Sequence, residues 1–443
     1  MKDLTKGSPI RLILIFAIPI FIGNIFQLLY NLIDTRIVGE LLGEQSLAAV
    51  GSTNSVNTLI VGFMIGLTNG FAILVARYFG AKDEKELRKT VAATLVLGIG
   101  TSIVLTILSV TFLMPLLRVL NTPADIIEEA YRYISIIFLG MTIGVIYNIC
   151  ASVLRAMGDT ITPLIFLIVS VVCNIILDYV CIAQFRMGVE GAAYATVASQ
   201  LISAILCLLY ILKKYPILYL HKEDFKFNKS LVINMYSSGL SMGFMMSLVS
   251  LGTVALQSSI NTFGKDTIVA HTAARKLTEL FMLSFSTLGT TIATFSSQNL
   301  GAGKVARIRE GLIKTILLTW VWSLGVMVVT YTMAPKLVYM VTGSTNQTVL
   351  DTATLYLKVD TVFYFVPAMI CIIRNAMQGI GDCKIPIVSS FIELAGKVLV
   401  VIFLAPVLGY MGIILAEPIV WILMVIPLVI RICTNPVLKK KSC

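Results

Sequence analysis

The sequence of 443 residues is poor in charge: Asp, Glu, Lys and Arg together make up only 13%, against about 25% in soluble domains. Hydrophobic residues make up 57%, and the mean hydropathy is +0.92. This balance argues against a soluble fold of this size.

Residues and motifs of common catalytic and metal sites are also scarce. The two histidines, His221 and His271, are too few for a metal site, and the eight cysteines lie mostly in apolar runs without C-x-x-C spacing, as expected of small buried hydrophobes. The sequence contains no H-E-x-x-H motif, no P-loop and no Gly-rich dinucleotide turn. We therefore expect neither an enzyme nor a bound cofactor, and no transport driven by ATP.

Long apolar runs, by contrast, are abundant. A helix needs about 20 mostly apolar residues to cross a hydrocarbon core of about 30 Å, and twelve runs are long enough: residues 11–36, 47–76, 90–116, 131–154, 161–184, 189–212, 231–261, 268–298, 311–333, 352–377, 385–406 and 411–433. Lipid offers the backbone no hydrogen-bond partner, so each run is predicted to be a helix. The predicted fold is an all-α polytopic membrane protein with twelve transmembrane helices.

The distribution of basic residues predicts the topology. Lys2, Lys6 and Arg11 precede the first apolar run, which is too long for the core of a secretory signal and lacks an A-x-A-like cleavage site, so we expect a retained helix. Most of the 34 Lys and Arg residues lie in the termini and in the loops after even-numbered spans. This asymmetry predicts a multi-pass protein of the cytoplasmic (inner) membrane with both termini cytoplasmic. It also explains the net charge of +11 without nucleic-acid binding.

An internal repeat relates the two halves of the chain. Gly43–Arg88 aligns with Gly264–Arg309 at an offset of 221 without a gap, and the Gly-Asp segment at 156–159 aligns with that at 379–382 at an offset of 223. The second copy spells G-x-G-D, a signature of intramembrane aspartyl proteases. Because the motif has a partner in the repeat, and a Pro follows each Asp by four residues, we interpret both copies as turns between spans.

The repeat predicts two lobes of six helices, residues 1–212 and 230–443, joined by a basic cytoplasmic loop at 213–229. Six spans give both halves the same orientation, so a pseudo-two-fold axis along the membrane normal is expected. Parallel repeats with a central site are a transporter architecture. A duplicated helical bundle without a transport role is the alternative.

Polar side chains follow one face of the first span. They recur at steps of three or four residues, which places them on one side of a helix: Gly23, Gln27, Tyr30, Asn31 and Asp34. We interpret this face as lining a polar cavity, since a charge at a helix centre costs about 2.5–3.5 kcal/mol to insert. A solvated carboxylate at the outer membrane edge is the alternative for Asp34. Pro19 predicts a kink in the same helix.

The fifth span carries a second polar face, formed by Ser170, Asn174 and Asp178 at steps of four. Carboxylate and amide oxygens suit Na+ or a proton rather than a soft metal, and Thr196 in the sixth span adds a hydroxyl. An interhelical hydrogen bond is the alternative for Asn174, and a bond to its own helix is the alternative for Thr196. If the carboxylates of Asp34 and Asp178 meet in a low-dielectric pocket, we expect a proton or cation between them.

The second half has charged residues inside its spans at steps of four: His271, Arg275 and Glu279, with Lys276 adjacent, and Glu393 with Lys397. Intrahelical ion pairs explain this spacing, and a charged wall of a substrate cavity, with Arg275 and Glu279 as contacts, is the alternative. Glu417 lacks a partner nearby in sequence, and Lys397 is its expected partner across helices.

Methionines in spans 7 and 8 fit either core packing or a promiscuous apolar site: Met242, Met245, Met246 and Met282.

Three motifs give the chain a resemblance to the multidrug and toxic compound extrusion (MATE) family over essentially its whole length. They are N-L-I-D-T-R-I-V-G at 31–39, L-R-A-M-G-D-T-x-x-P at 154–163 and G-V-E-G-A-A-Y-A-T at 188–196. The resemblance implies V-shaped lobes around a cavity that opens alternately to either side of the lipid bilayer. It also implies export of organic cations, drugs or other amphiphiles in exchange for inward H+ or Na+. We expect a monomer.

The resemblance further implies that Asp34, Asn174, Asp178 and Thr196 bind the coupling cation, and that the first helix bends at Pro19 in response. The chain departs from the family pattern in its second half, where helix 7 has no Asp or Glu and helix 10 carries Pro367 at the comparable position. We therefore expect the coupling site in the first lobe. A flippase for a lipid-linked cell-envelope precursor is the alternative, although it would need extra spans and a basic cavity.

The paired spans of the repeat are chemically unequal. Asp34 corresponds to Ala255 at the offset of 221, and Asn174 corresponds to Lys397 at the offset of 223. We therefore expect the second lobe to supply substrate contacts or counter-charge rather than a second coupling site.

Overall fold

A computed structural model describes residues 3–120, 122–260 and 262–439, and this part of the chain is helical without a β-strand. The helices of the first half are α1 (Pro9–Leu42), α2 (Glu44–Ser52), α3 (Asn54–Ala81), α4 (Glu84–Val119), α5 (Ile127–Leu139), α6 (Met141–Ala156), α7 (Ile161–Tyr179) and α8 (Val189–Lys214). Those of the second half are α9 (Lys229–Ile260), α10 (Lys265–Gly301), α11 (Val305–Thr342), α12 (Gln347–Val362), α13 (Phe365–Ile380), α14 (Lys384–Leu399), α15 (Ala405–Leu408), α16 (Tyr410–Thr434) and α17 (Pro436–Lys439).

Shorter helical segments complete the described chain. The π-helical turns Val180–Gln184 and Val400–Leu404 follow α7 and α14. The 3₁₀ turns Pro216–Leu218 and Lys222–Phe225 lie in the loop between α8 and α9. Each π-helical turn therefore lies near the end of the fifth span of its half.

Ten helices of the described residues are long and apolar enough to cross a membrane, and two bent pairs pass the same test jointly. The pairs are α5 with α6, bent by 45°, and α12 with α13, bent by 54°. They fall on the predicted fourth and tenth spans. The predicted all-α fold with twelve spans is thus confirmed, with two spans broken in the middle.

At both breaks, backbone groups form hydrogen bonds within the protein and so do not depend on water. At the first, Thr106 in α4 donates its hydroxyl to the Phe138 carbonyl oxygen at 3.2 Å. At the second, Phe363 and Tyr364 donate backbone N–H groups to the carbonyl oxygens of Asp360 and Thr361, at 3.1 and 3.3 Å. Lipid cannot hydrogen-bond such groups, so these bonds make broken helices tolerable within a span.

The chain divides into two compact units. Unit 1 comprises Met1–Leu4 and Ile15–Ser247, and unit 2 comprises Thr5–Leu14 and Leu248–Cys443. Helices α1 and α9 each contribute to both units.

Within unit 1, Gly66 and Gly70 of α3 lie against the backbone of α9, where a Cβ atom would collide, as is typical of small residues at membrane-helix contacts. The lobe boundaries at 212 and 230 stay a prediction.

The backbone repeats its geometry at the two offsets found in the sequence. Gly158 and Gly381 have φ angles of 87° and 89°, and they are 223 residues apart. Gly188 and Gly409, 221 residues apart, combine φ of 64° and 59° with ψ of −149° and −141°. Both Gly-Asp segments form turns between helices, and these matched turns fix the register of the repeat.

Candidate functional site

The four residues predicted to bind a cation come together in unit 1, from α1, α7 and α8. Asn174 and Asp178 are fully buried on one face of α7. With its amide oriented to satisfy both neighbours, Asn174 donates Nδ2–H to Asp178 Oδ2 at 2.9 Å and accepts the Thr196 backbone N–H at 3.2 Å. The expected face of α7 and its link to α8 are therefore present.

Helix α1 brings Asp34 to the same place. The carboxyl groups of Asp34 and Asp178 lie within hydrogen-bonding contact of each other. The Oδ1 atom of each is buried, and no protein donor among the described residues reaches it. Two facing carboxyl groups, each with one oxygen that no described protein donor reaches, suit a shared proton or a small hard cation.

Of the other polar residues on this face of α1, one reaches the site and two are exposed. Tyr30 reaches the site, where its hydroxyl lies 3.3 Å from Thr196 Oγ1. Gln27 and Asn31 are exposed and share a hydrogen bond of 3.5 Å. Pro19 lies inside the continuous helix α1, fifteen residues before Asp34 in sequence.

Tyr133 of α5 also belongs to this site, although the sequence analysis did not select it. Its ring is 9% exposed, and its phenol interacts electrostatically with Asp34, Asp178 and Tyr30. A tyrosine in an apolar span carries no periodic signal, so only the tertiary contact reveals it. The site is thus a pair of carboxyl groups with the amide of Asn174 and the hydroxyl groups of Tyr30 and Thr196 beside it, and with the Tyr133 phenol near enough to interact electrostatically.

Transition-metal chemistry has no support in the geometry. The described residues contain no group of three or more His, Cys, Asp or Glu side chains arranged to hold a metal ion. The side chains around Asp34 and Asp178 offer oxygen atoms, which favour Na+ or a proton over a soft metal.

Unit 2 contains a cavity of about 250 Å³. Arg275, Lys276 and Glu279 line it together with Glu417 and Tyr356, so two of the predicted substrate contacts do face a cavity. The predicted methionines do not line it: Met245 is buried, Met282 is half-buried and Met246 is 37% exposed.

A chain of ion pairs runs behind this cavity. Arg275 contacts Glu417 at 2.7 Å, so it pairs across helices rather than with Glu279 in its own helix. Lys397 contacts Glu393 at 3.0 Å and Glu417 at 3.6 Å, which confirms both expected partners of Lys397. Arg374 completes the chain at 3.8 Å from Glu393.

Asp360 is a further buried acid that the sequence analysis missed. It is fully buried in α12, where its Oδ2 accepts the Thr278 hydroxyl at 3.3 Å and no donor among the described residues reaches its Oδ1. Its presence as a lone acid inside the tenth predicted span was the signal available.

Comparison with known proteins relates the chain to one family of membrane proteins. A model of the MatE family matches residues 19–180 and 241–407. The probable multidrug resistance protein YpnP of Bacillus subtilis (strain 168) is 31% identical over 306 residues, which cover 69% of this chain and 68% of the relative. The probable multidrug resistance protein YoeA of the same strain is 27% identical over 399 residues, covering 88% and 86%.

The fold also matches a solved structure described as the outward-facing conformation of a multidrug resistance MATE family transporter of the MOP superfamily. The TM-score is 0.89 at 24% identity, and the match covers 99% of this chain and 98% of the other. At that identity the likeness shows a shared fold.

Proposed function

The chain belongs to the MATE family and is a multi-pass membrane transporter rather than an enzyme, and from this premise we propose that it exports a cationic or amphiphilic small molecule in exchange for inward H+ or Na+. The single observation that carries the proposal is the carboxyl pair of Asp34 and Asp178. Each has a buried oxygen without a protein donor, and burying such a group is costly unless a proton or cation neutralises it.

The pair acts as a switch between two helices. Without a cation, the carboxylates on α1 and α7 repel each other strongly in a medium of low dielectric constant. With a proton or Na+ between them, the same groups attract α1 to α7. Loading and release of the cation therefore change the attraction between α1 and the rest of the site. Pro19 gives α1 a point at which it can bend in response.

Each neighbour has a distinct role. Asn174 stabilises the Asp178 carboxylate when the cation leaves, and the backbone of Thr196 holds the Asn174 amide in that orientation. The Tyr30 hydroxyl, bonded to Thr196, closes the site from α1. A cationic substrate competes with the coupling cation for the same negative charge, and this competition couples the two fluxes.

We also propose the membrane in which the protein lies and the side on which its termini lie. The excess of Lys and Arg in alternate loops supports insertion in the cytoplasmic membrane with both termini inside the cell. The halves 1–212 and 230–443 are proposed as the two lobes, and the monomer as the working unit.

Transport in proteoliposomes tests the proposal. Ethidium efflux is measured under an imposed ΔpH and, separately, an imposed Na+ gradient, for the wild type, Asp34→Asn and Asp178→Asn. Each variant should lose most gradient-driven efflux, because one permanently neutral group cannot exchange a cation. Asp125→Asn, at an exposed loop position, should transport like the wild type. Wild-type rates for both site variants under either gradient would show that the coupling site is wrong.

A further inference from the structure

The repeat assigns a counterpart in unit 2 to each half of the Asn174–Thr196 contact. Helices α7 and α14 begin at an offset of 223, and α8 and α16 begin at an offset of 221. In that register Asn174 corresponds to Lys397 and Thr196 corresponds to Glu417. The neutral amide contact of unit 1 is replaced in unit 2 by a cation and an anion.

The two pairs make different contacts at corresponding positions. Asn174 Oδ1 accepts the Thr196 backbone N–H at 3.2 Å, whereas the side chains of Lys397 and Glu417 meet directly, with Nζ 3.6 Å from Oε1. Glu393, the counterpart of Ser170 at the offset of 223, lies on the other side of the ammonium group at 3.0 Å. Unit 2 therefore also has two carboxylates around one point, and a lysine nitrogen occupies that point.

We propose that the Lys397 ammonium group is a tethered cation that permanently occupies the Glu393–Glu417 carboxylate pair of unit 2, at the position that corresponds to Asn174 in the coupling site. The side chain is 2% exposed. Its stem packs on Gly252 of α9, where a Cβ atom would lie 2.8 Å from Lys397 Cδ. The stem and ammonium group of Lys397 therefore occupy the space beside these two carboxylates.

The charges of unit 2 fit a fixed rather than an exchangeable cation. Glu417 keeps Arg275 as a second partner, and Glu393 keeps Arg374. Removing the ammonium group leaves each carboxylate with one arginine, so the charges still balance, but both carboxylates lose their shared partner and a buried space of lysine size opens beside them. The assignment stands on these contacts and does not require the proposed export activity, although the comparison with unit 1 rests on the coupling site proposed there.

Chemical rescue of purified protein tests the assignment. Lys397→Ala removes the ammonium group and leaves a space of lysine size, so its melting temperature should fall by several degrees. Ethylammonium or propylammonium chloride should restore most of that loss in a saturable way, and it should leave the wild type unchanged. Tetramethylammonium chloride at the same concentration has no N–H donor and should not restore stability.

Two further variants complete the test. Lys397→Met fills the space without charge, so it should lose stability and gain nothing from alkylammonium ions. Lys397→Ala combined with Glu393→Gln removes one of the two carboxylates that would bind the added amine, so alkylammonium should raise its melting temperature less than that of Lys397→Ala. The proposal is wrong if alkylammonium stabilises Lys397→Ala no more than the wild type or Lys397→Met, or if the double variant gains as much stability from alkylammonium as Lys397→Ala does. Because the readout is melting temperature, a failure here is distinct from a failure of the transport experiment.

Discussion

At the scale of single residues, Asn174 shows how one amide organises the proposed coupling site. Its nitrogen donates to Asp178 and its oxygen accepts from the Thr196 backbone, so both ends of the amide are fixed. A hydrogen bond to a charged group contributes about 1.5–3 kcal/mol. This bond stabilises the cation-free carboxylate, which is the state that must form whenever the site releases its ion.

Asn174→Leu should therefore slow transport more than it weakens substrate binding. Loss of about 1.5–3 kcal/mol from the cation-free state corresponds to a decrease of about tenfold or more in turnover. Ethidium efflux rates at saturating substrate measure this change. Asn148→Leu is the matched control, since the Asn148 amide donates only to the Gly144 carbonyl of its own helix. Equal rates for Asn174→Leu and the control would contradict the assigned role.

At the scale of helices, the broken spans follow from local hydrogen bonding. The bend between α5 and α6 is 45°, and the Phe138 carbonyl near it accepts from Thr106 of the neighbouring helix. The apolar length of a span is a local property of the sequence, so span number was predictable. The partner of a carbonyl at a break lies 32 residues away, so the breaks were not predictable from the same signal.

Thr106→Val should destabilise the protein by about 0.6–1.7 kcal/mol, the range for interhelical hydrogen bonds in membranes, because valine keeps the shape and removes the donor. Thr111→Val in the same helix is the control, since the Thr111 hydroxyl donates to Ile107 of α4 itself. Thermal melting of the purified variants compares the two. A smaller loss for Thr106→Val than for Thr111→Val would show that the hydroxyl does not support the break.

At the scale of the whole molecule, the duplication supplies a common backbone and two different chemistries. The repeat and its offsets were visible in the sequence because glycines at turns keep their spacing, as Gly188 and Gly409 do. The expected grouping of Asp34 with Asp178 was visible through helical periodicity and the family resemblance. Tyr133 and the pairing of Arg275 with Glu417 were not, since each depends on contacts between distant spans, whereas Asp360 was visible as a lone acid in the tenth predicted span.

The chemical difference between the units has a consequence for coupling. Unit 1 has two carboxyl groups with donor-free oxygens, and in unit 2 the ammonium group of Lys397 already lies between Glu393 and Glu417. Exchange of an ion is therefore expected at the carboxyl pair of unit 1 and not at the Glu393–Glu417 pair of unit 2. Binding of substrate and release of that ion must then be reciprocal, since each ligand changes the affinity for the other by the same factor.

Ion release on substrate binding tests this account most directly. A cationic substrate such as ethidium is added to purified protein in weakly buffered solution, and released H+ is followed with a pH-sensitive dye, or released Na+ with a selective electrode in Na+-loaded samples. We predict release of about one H+ or one Na+ per bound substrate in the wild type, and none in Asp34→Asn or Asp178→Asn. Substrate binding to the wild type with no release of either ion, or unchanged release in both variants, would contradict the account.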